Sequence, residues 1–298
     1  MNYSQKTLRE PLNIPFYYGE KFITHAELRR LYDEDIEEFN RYKMMIPSNI
    51  NDASKSIRMV HTYLSKVISG FYANDEKITG VSTERLLEMM PYHGNTLHLF
   101  DTHFMLQKGR SIITTSYECK HCGAKTVFDL DPDSPIDPET EKREPERQLM
   151  EDFLQFREQK ICRTGMIFKH KLIYPRPFKH IDGTEDVMRT WDIRYPSFKT
   201  ILDNDKDQKR SKYRFGWDIW ESLVSLNDMT EQETKEIKKI NGFDTFFFEF
   251  EQQERRAINE KLEEYTTDEQ HKFTCYSCKK EQESMFDRTN FIEFLNQR

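Results

Sequence analysis

Two cysteine pairs with the same spacing place the strongest constraint on the fold of this chain. Cys119 and Cys122 lie in TTSYECKHCGAKTVFDL, and Cys275 and Cys278 lie in HKFTCYSCKKEQESMFDR. Residues typical of strands flank both pairs, so each pair is expected at the turn of a β-hairpin. Because residues 123–274 lie between the pairs, a site that uses both requires the intervening chain to fold back on itself.

The spacing indicates a metal site, because a Cys-x-x-Cys turn lets two thiolates bind one cation and Zn²⁺ prefers four ligands in a tetrahedron. We therefore predict one shared structural zinc site. Its ligands are Cys119, Cys122, Cys275 and Cys278.

Other interpretations of the cysteines remain open at this point: two separate half-sites, reduced thiols, or a binding role for one pair only. A redox pair typically lies between a strand and the N-terminus of a helix, whereas strands are predicted on both sides here. His121 and His271 are close enough in sequence to be substitute ligands. Cys162 is interpreted as a small buried apolar residue.

The remaining sequence predicts an α+β fold that is predominantly helical, with a small β-hairpin zinc-ribbon subdomain formed by the two distant cysteine pairs. Thr24 and Glu27 have the spacing of a capping box at the start of a helix, and Thr230 and Glu233 repeat that pattern later, with Gly242 as the expected end. Apolar residues recur at helical spacing in NDASKSIRMVHTYLSKVISGFY. The segment FKHIDGTEDVMRTWDIRYPSF is interpreted as rich in loops.

These patterns divide the chain into five predicted regions. They are an N-terminal helical region (1–110), the first cysteine hairpin (111–130), an inserted mixed region (131–210), a C-terminal helical region (211–270) and the second cysteine hairpin with a terminal helix (271–298). Residues 131–147, DPDSPIDPETEKREPER, are interpreted as an exposed connection because they are rich in proline and acid.

Aromatic residues are frequent, at 13% of the chain. The group formed by Phe246, Phe247, Phe248 and Phe250 is too apolar for an exposed helix. The sequence leaves open whether these rings, and the three tryptophans, belong to the core or to a surface that a partner covers.

Several function classes find no support in the sequence. We find no phosphate-binding loop, no G-x-S-x-G, no H-E-x-x-H and no kinase signature, and therefore expect a protein that is not an enzyme. The N-terminal residues lack the apolar stretch of a signal peptide, and no segment has the ~20 apolar residues that a membrane span needs. A formal net charge of −7 argues against nucleic-acid binding, although Lys206–Phe215 (KDQKRSKYRF) is locally basic.

The order of these segments resembles that of the T4-type phage baseplate hub and tail-assembly protein family. The similarity rests on LNIPFYYGEKFITHAELRRL, on GVSTERLLEMM followed by LHLFDTHFMLQKGRSI and the first cysteine hairpin, and on CYSCKKEQESMFDRTNFIEFL. It covers about residues 10–130 and 210–298. Of the residues that matter to that family, only the four cysteines carry over position by position.

The resemblance implies a structural or assembly protein of a contractile-tailed bacteriophage, located in the virion tail or baseplate after assembly in the host cytoplasm. Its partners would be other baseplate and tail proteins. The alternative is a zinc-ribbon protein that binds nucleic acid in transcription or replication.

Overall fold

The computed structural model describes residues 7–45, 52–108, 113–130, 161–162, 166–207, 210, 212–247, 252–266, 270–275 and 277–285. The strands among them are β1 (Thr7–Tyr18), β2 (Lys21–Arg29), β3 (Ile68–Ala73), β4 (Glu76–Lys77), β5 (Ile113–Glu118), β6 (Lys125–Leu130), β7 (Ile167–Lys179), β8 (Glu185–Arg194), β9 (Leu223–Leu226), β10 (Gln270–Thr274) and β11 (Glu281–Met285). The helices are α1 (Asp33–Met45), α2 (Asp52–Val67), α3 (Thr83–Met89), α4 (Asn95–Lys108), α5 (Phe198–Lys206), α6 (Arg214–Ser222), α7 (Glu231–Phe247) and α8 (Gln252–Glu263).

The first large sheet is antiparallel, with the strand order β1-β2-β3-β4. Gly19, at φ +60°, supports the tight turn between β1 and β2, because glycine adopts this backbone region without steric cost. The strands β1 and β2 pair regularly up to Pro11 and His25, and pairing resumes at Phe16 and Ile23, so β1 contains a bulge. The inward side chains of this sheet pack against α1 to α4 and form the first hydrophobic core.

The second large sheet, β7-β8-β9, is also antiparallel. The strand β7 contains a bulge between Lys171 and Arg176, opposite Thr190 and Met188 of β8. Its inward face and the helices α6, α7 and α8 form the second hydrophobic core, which contains the fully buried Trp191.

The two cores are joined by exchanged side chains and by buried polar contacts. Ile14 of β1 packs into the second core, and Phe198 of α5 packs into the first. The Asn13 amide donates to the backbone oxygens of Gly94 at 3.0 Å and Tyr265 at 3.1 Å. These contacts hold Tyr265, which follows α8, beside Gly94, which directly precedes α4.

The expectation of a predominantly helical fold is wrong. The described part of the chain is α+β, because strands accompany the helices throughout it and its two large sheets are antiparallel. Thr24 and Glu27 do not cap a helix, because both lie in β2, whose pairing with β1 and β3 buries Ala26 and Leu28. The loop-rich interpretation of residues 178–198 is also wrong, since β8 occupies Glu185–Arg194 there.

Other local predictions are confirmed. Thr230 and Glu233 form a reciprocal capping box, in which each backbone N–H donates to the other side chain at 2.9 and 3.2 Å. Gly242, at φ +74°, interrupts α7, the helix that begins at this capping box. Phe246 and Phe247 belong to the second core, whereas Phe248, Phe250, the segment 131–160 and the predicted terminal helix lie outside the described residues.

The second sheet takes strands from two of the predicted regions. The strands β7 and β8 lie within 131–210, and β9 lies within 211–270. Within the parts of the chain that the structure covers, no helix is both long enough and apolar enough to cross a membrane.

Candidate metal centre

The first cysteine pair lies at the turn of the β5–β6 hairpin, whose last paired residues are Glu118 and Lys125. The backbone N–H of Cys119 donates to the oxygen of Ala124 at 2.9 Å, and the N–H of Gly123 donates back to the oxygen of Cys119 at 2.8 Å. Gly123 has φ +68°, which closes the turn. The N–H of His121 points at the Cys119 sulfur at 3.4 Å, as expected for a turn that stabilises a thiolate.

The second pair lies on the β10–β11 hairpin and repeats this geometry. The N–H of Cys275 donates to the oxygen of Lys280 at 3.0 Å, and the N–H of Lys279 donates back to the oxygen of Cys275 at 2.8 Å. Lys279 occupies the position of Gly123 and has φ +58°, a left-handed conformation that is unfavourable for a residue with a side chain. The second turn therefore keeps the same backbone geometry despite a conformational cost.

The structure brings all four predicted cysteines together, and their sulfur atoms all lie within 4.8 Å of one another. Cys119 Sγ is 3.6 Å from Cys278 Sγ, and Cys122 Sγ is 3.8 Å from Cys275 Sγ. Two sulfurs bound to one tetrahedral Zn²⁺ at ~2.3 Å are about 3.8 Å apart. A disulfide requires about 2.05 Å, so these distances match shared metal ligands and do not match bonded sulfurs.

Burial divides the four cysteines into two classes. Cys119 and Cys275 are 2% and 1% exposed, whereas Cys122 is exposed and Cys278 is half-buried. Exposed lysines follow the ligands on both turns: Lys120, Lys279 and Lys280. Their positive charges offset the excess negative charge that four thiolates carry over a divalent cation.

The close sulfurs also disfavour ionisation of one another. The backbone N–H of Lys280 lowers the pKa of Cys278, but desolvation and the sulfurs of Cys119, Cys275 and Cys122 outweigh it and raise that pKa to about 11. A divalent cation is the group that makes four adjacent thiolates favourable at neutral pH. The donor set thus fits a soft, thiolate-binding metal ion.

His121 and Cys162 do not belong to this group of four cysteines. His121 is exposed and is not part of the four-residue group, and the side chain of His271 lies outside the described atoms. Cys162 is 2% exposed and packs in the second core, in agreement with its interpretation as a buried apolar residue.

The backbone of the two turns gives a prediction about stability. Lys279→Gly should raise the free energy of unfolding of the metal-loaded protein by about 1 kcal/mol, because it removes a left-handed non-glycine residue. Gly123→Ala should lower it by a similar amount for the opposite reason. Thermal unfolding of the two variants checks both signs, and a fall in Tm for Lys279→Gly would contradict the shared turn geometry.

Sequence reasoning missed two buried acid–histidine pairs. The ring of His98 lies 3.0 Å from the carboxylate of Glu10, and the ring of His170 contacts the carboxylate of Glu254. All four side chains are at most 7% exposed. LREPLNIPF and FKHKLIYP do not single out Glu10 and His170, because each segment contains further polar residues.

The basic run at 206–215 contributes to the fold where it is described. The Arg210 guanidinium donates to Asn204 at 3.2 Å and to Glu221 at 3.1 Å, and it lies 4.5 Å from the Trp217 ring. Lys206 lies 3.6 Å from Asp203. Arg210 and Lys206 thus already pair with side chains of this chain, whereas binding of a nucleic-acid phosphate backbone would require their positive charges.

Asp218, which is buried beneath that run, gives a prediction about pH. Desolvation raises the pKa of Asp218 to about 7, although the Asn204 amide, which donates to it at 2.9 Å, and Arg214 act in the opposite direction. Between pH ~4 and ~7 the folded protein therefore holds a proton that the unfolded chain has released, so stability falls as pH rises through this range.

Asp218→Asn should consequently raise Tm at about pH 8 and change it little at about pH 4. Asp203→Asn, which alters a 48% exposed carboxylate on the same surface, is the matched control and should not show this increase. Equal effects of Asp218→Asn at both pH values would contradict a neutral buried Asp218.

Fold and site together define an α+β protein with a four-cysteine group that could hold one metal ion. This coarser form of the prediction is confirmed, whereas the identity of the metal stays a prediction. No family model, curated protein or solved structure matches the chain.

Proposed function

We propose that the four cysteines hold one structural Zn²⁺. The observation that carries this proposal is the sulfur geometry: four thiol groups from two hairpins meet at the spacing of a tetrahedral site. Four protein ligands complete the coordination of zinc, so such a site has no open position for water or substrate. The metal would therefore stabilise the fold and take no part in a reaction.

The position of the hairpins explains what that stabilisation achieves. The first hairpin follows α4 along the chain, and the second follows α8. A metal bound by both hairpins closes the large loop formed by residues 123–274. Since such a site does not exist in the unfolded chain, metal binding contributes to the free energy of folding.

We further propose that the protein is a non-enzymatic structural or assembly component of a contractile-tailed phage baseplate or tail. The sequence resemblance described above supports this role. Exposed apolar side chains at the end of α1 are compatible with it: Met44 and Met45 are 84% and 74% exposed, and methionine adapts well to partner surfaces.

The location of the protein tests this role. Mass spectrometry of gradient-purified particles and of tail assembly intermediates should detect the chain in at least one of them, together with tail proteins. Recovery of the chain only as free protein in the lysate, or in a complex that dissociates from nucleic acid as salt is raised, would contradict the assembly role.

A further inference from the structure

The equivalence of the two cysteine hairpins extends into the rest of the fold. Among the helices and strands named above, a β-hairpin, two helices, a strand, two helices and a cysteine hairpin follow one another from β1 to β6 and again from β7 to β11. The strand β4, with two residues, is the addition in the first series. A repeated order alone is weak evidence, so the irregular features of the two series need to be compared.

The first irregular feature is the bulge in the leading hairpin. Pairing moves from Pro11↔His25 to Phe16↔Ile23 in β1–β2, and from Lys171↔Thr190 to Arg176↔Met188 in β7–β8. In both cases the first strand advances by five residues while the second advances by two. A proline occupies the same position in each bulge, Pro15 in one and Pro175 in the other.

The second irregular feature lies where the third strand joins the sheet. The pairing Glu27↔Gly70 is followed by Leu28↔Ile68, and the pairing Asp192↔Ser225 is followed by Ile193↔Leu223. Each sheet therefore has a one-residue bulge at the corresponding place. In addition, β3 follows α2 and β9 follows α6 with no residue between helix and strand.

The third shared feature is the buried acid–histidine pair. Glu10 and His170 each stand one residue before the start of the leading bulge. Their partners, His98 and Glu254, precede Cys119 and Cys275 by the same number of residues. The two pairs occupy equivalent positions with acid and base exchanged.

The buried face of the last helix matches as well. His98, Thr102 and Leu106 are buried on α4, and the corresponding residues of α8 are also buried. Those residues are Glu254, Ile258 and Leu262.

We infer that the chain consists of two copies of one structural unit, unit 1 (residues 7–130) and unit 2 (residues 166–285), and that the metal centre is the joint between them. This inference rests on the proposed zinc site and extends it: each unit supplies half of the ligands. The sulfur contacts are reciprocal, because Cys119 with Cys278 corresponds to Cys275 with Cys122 under the exchange of units. The partner that each cysteine hairpin recognises is thus a second copy of the same hairpin.

Away from the cysteines the units have diverged. Ile14 is fully buried in the core of unit 2, whereas its equivalent in unit 2, Tyr174, is 37% exposed. This contact between the bodies is therefore not reciprocal, whereas the sulfur contacts of the hairpin pair are.

Exchange of the two turns in the full-length protein tests the inference. Residues 119–124 (CKHCGA) and 275–280 (CYSCKK) are swapped, which keeps the composition constant. If the turns are equivalent, the exchanged protein binds one zinc per chain with an affinity within about tenfold of the wild type, since changes around metal ligands alter affinity by ~10–100-fold. Zinc bound by the wild type and lost from the exchanged protein would overturn the inference.

A second test does not depend on metal. Glu10→His and His98→Glu alone each leave two like groups facing each other in the core, whereas the double variant recreates the arrangement that His170 and Glu254 have in unit 2. The Tm of the double variant should exceed that of both single variants. A double variant no more stable than the weaker single variant would overturn the equivalence of the units. If the wild type holds no zinc, the proposed function fails while this comparison still decides the repeat.

Discussion

Replacing Cys275 with serine is expected to abolish stoichiometric zinc binding and to lower Tm by about 10 °C. Cys275 is 1% exposed and its sulfur lies 3.8 Å from that of Cys122, so the substitution removes a buried member of the four-sulfur group. A ligand present at about a thousandfold its dissociation constant stabilises the folded state by about 4 kcal/mol, which gives the size of the effect. Atomic emission on dialysed protein measures the metal, and differential scanning calorimetry measures Tm.

Limited trypsin digestion provides a third measurement on the same variant. Lys279 and Lys280 are exposed on the second turn, so cleavage there should accelerate once the turn is no longer fixed by metal. Cys162→Ala is the matched control, because Cys162 is the remaining cysteine of the chain and lies in the second core. It should destabilise the protein without loss of zinc, and unchanged metal content in Cys275→Ser would contradict the shared site.

Glu254→Ala is expected to have the second large effect, a loss of about 3–5 kcal/mol in the free energy of unfolding. The Glu254 carboxylate is 1% exposed. It contacts the His170 ring and accepts the backbone N–H groups of Ile173 at 2.9 Å and Tyr174 at 3.2 Å. These two N–H groups lie in the bulge of β7, between the paired residues Lys171 and Arg176, so truncation removes the acceptor that both of them use.

The same helix offers a control for that substitution. Glu260 is 67% exposed and pairs with Arg256 one turn away at 3.2 Å. Glu260→Ala should cost less than ~0.5 kcal/mol, as exposed pairs of this kind usually do. Urea unfolding of both variants measures the difference, and similar midpoints for the two would show that Glu254 does not support the bulge.

The candidate site was predictable because its signal is local. Cys-x-x-Cys spacing, strand-forming flanks and a turn glycine at Gly123 are all visible within a few residues, and the second pair repeats the spacing and the flanks. The cysteine spacing did not reveal that Lys279 adopts the left-handed conformation of Gly123. The hydrogen-bonded turn imposes that conformation on Lys279, although a residue with a side chain disfavours it.

Much of the strand structure in the two large sheets was not predictable, because pairing with strands that are distant in sequence determines which segments become strands. The segment from Thr24 to Arg29 has a helical capping pattern, yet β1 and β3 pair with it on both sides and make it a central strand. The segment Glu185–Arg194 contains charges at every exposed position and reads as a loop, while Met188, Trp191 and Ile193 point into the core. The repeat was hidden for the same reason: its units share bulges and burial more than residue identities.

The most direct test of the central claim is the coordination of metal in the intact wild-type protein. Native mass spectrometry combined with X-ray absorption at the zinc edge should give one zinc per chain with four sulfur neighbours at ~2.3 Å. A protein that carries no metal, two ions per chain, or a zinc bound by nitrogen or oxygen in place of some sulfurs would contradict a single site shared by both cysteine hairpins.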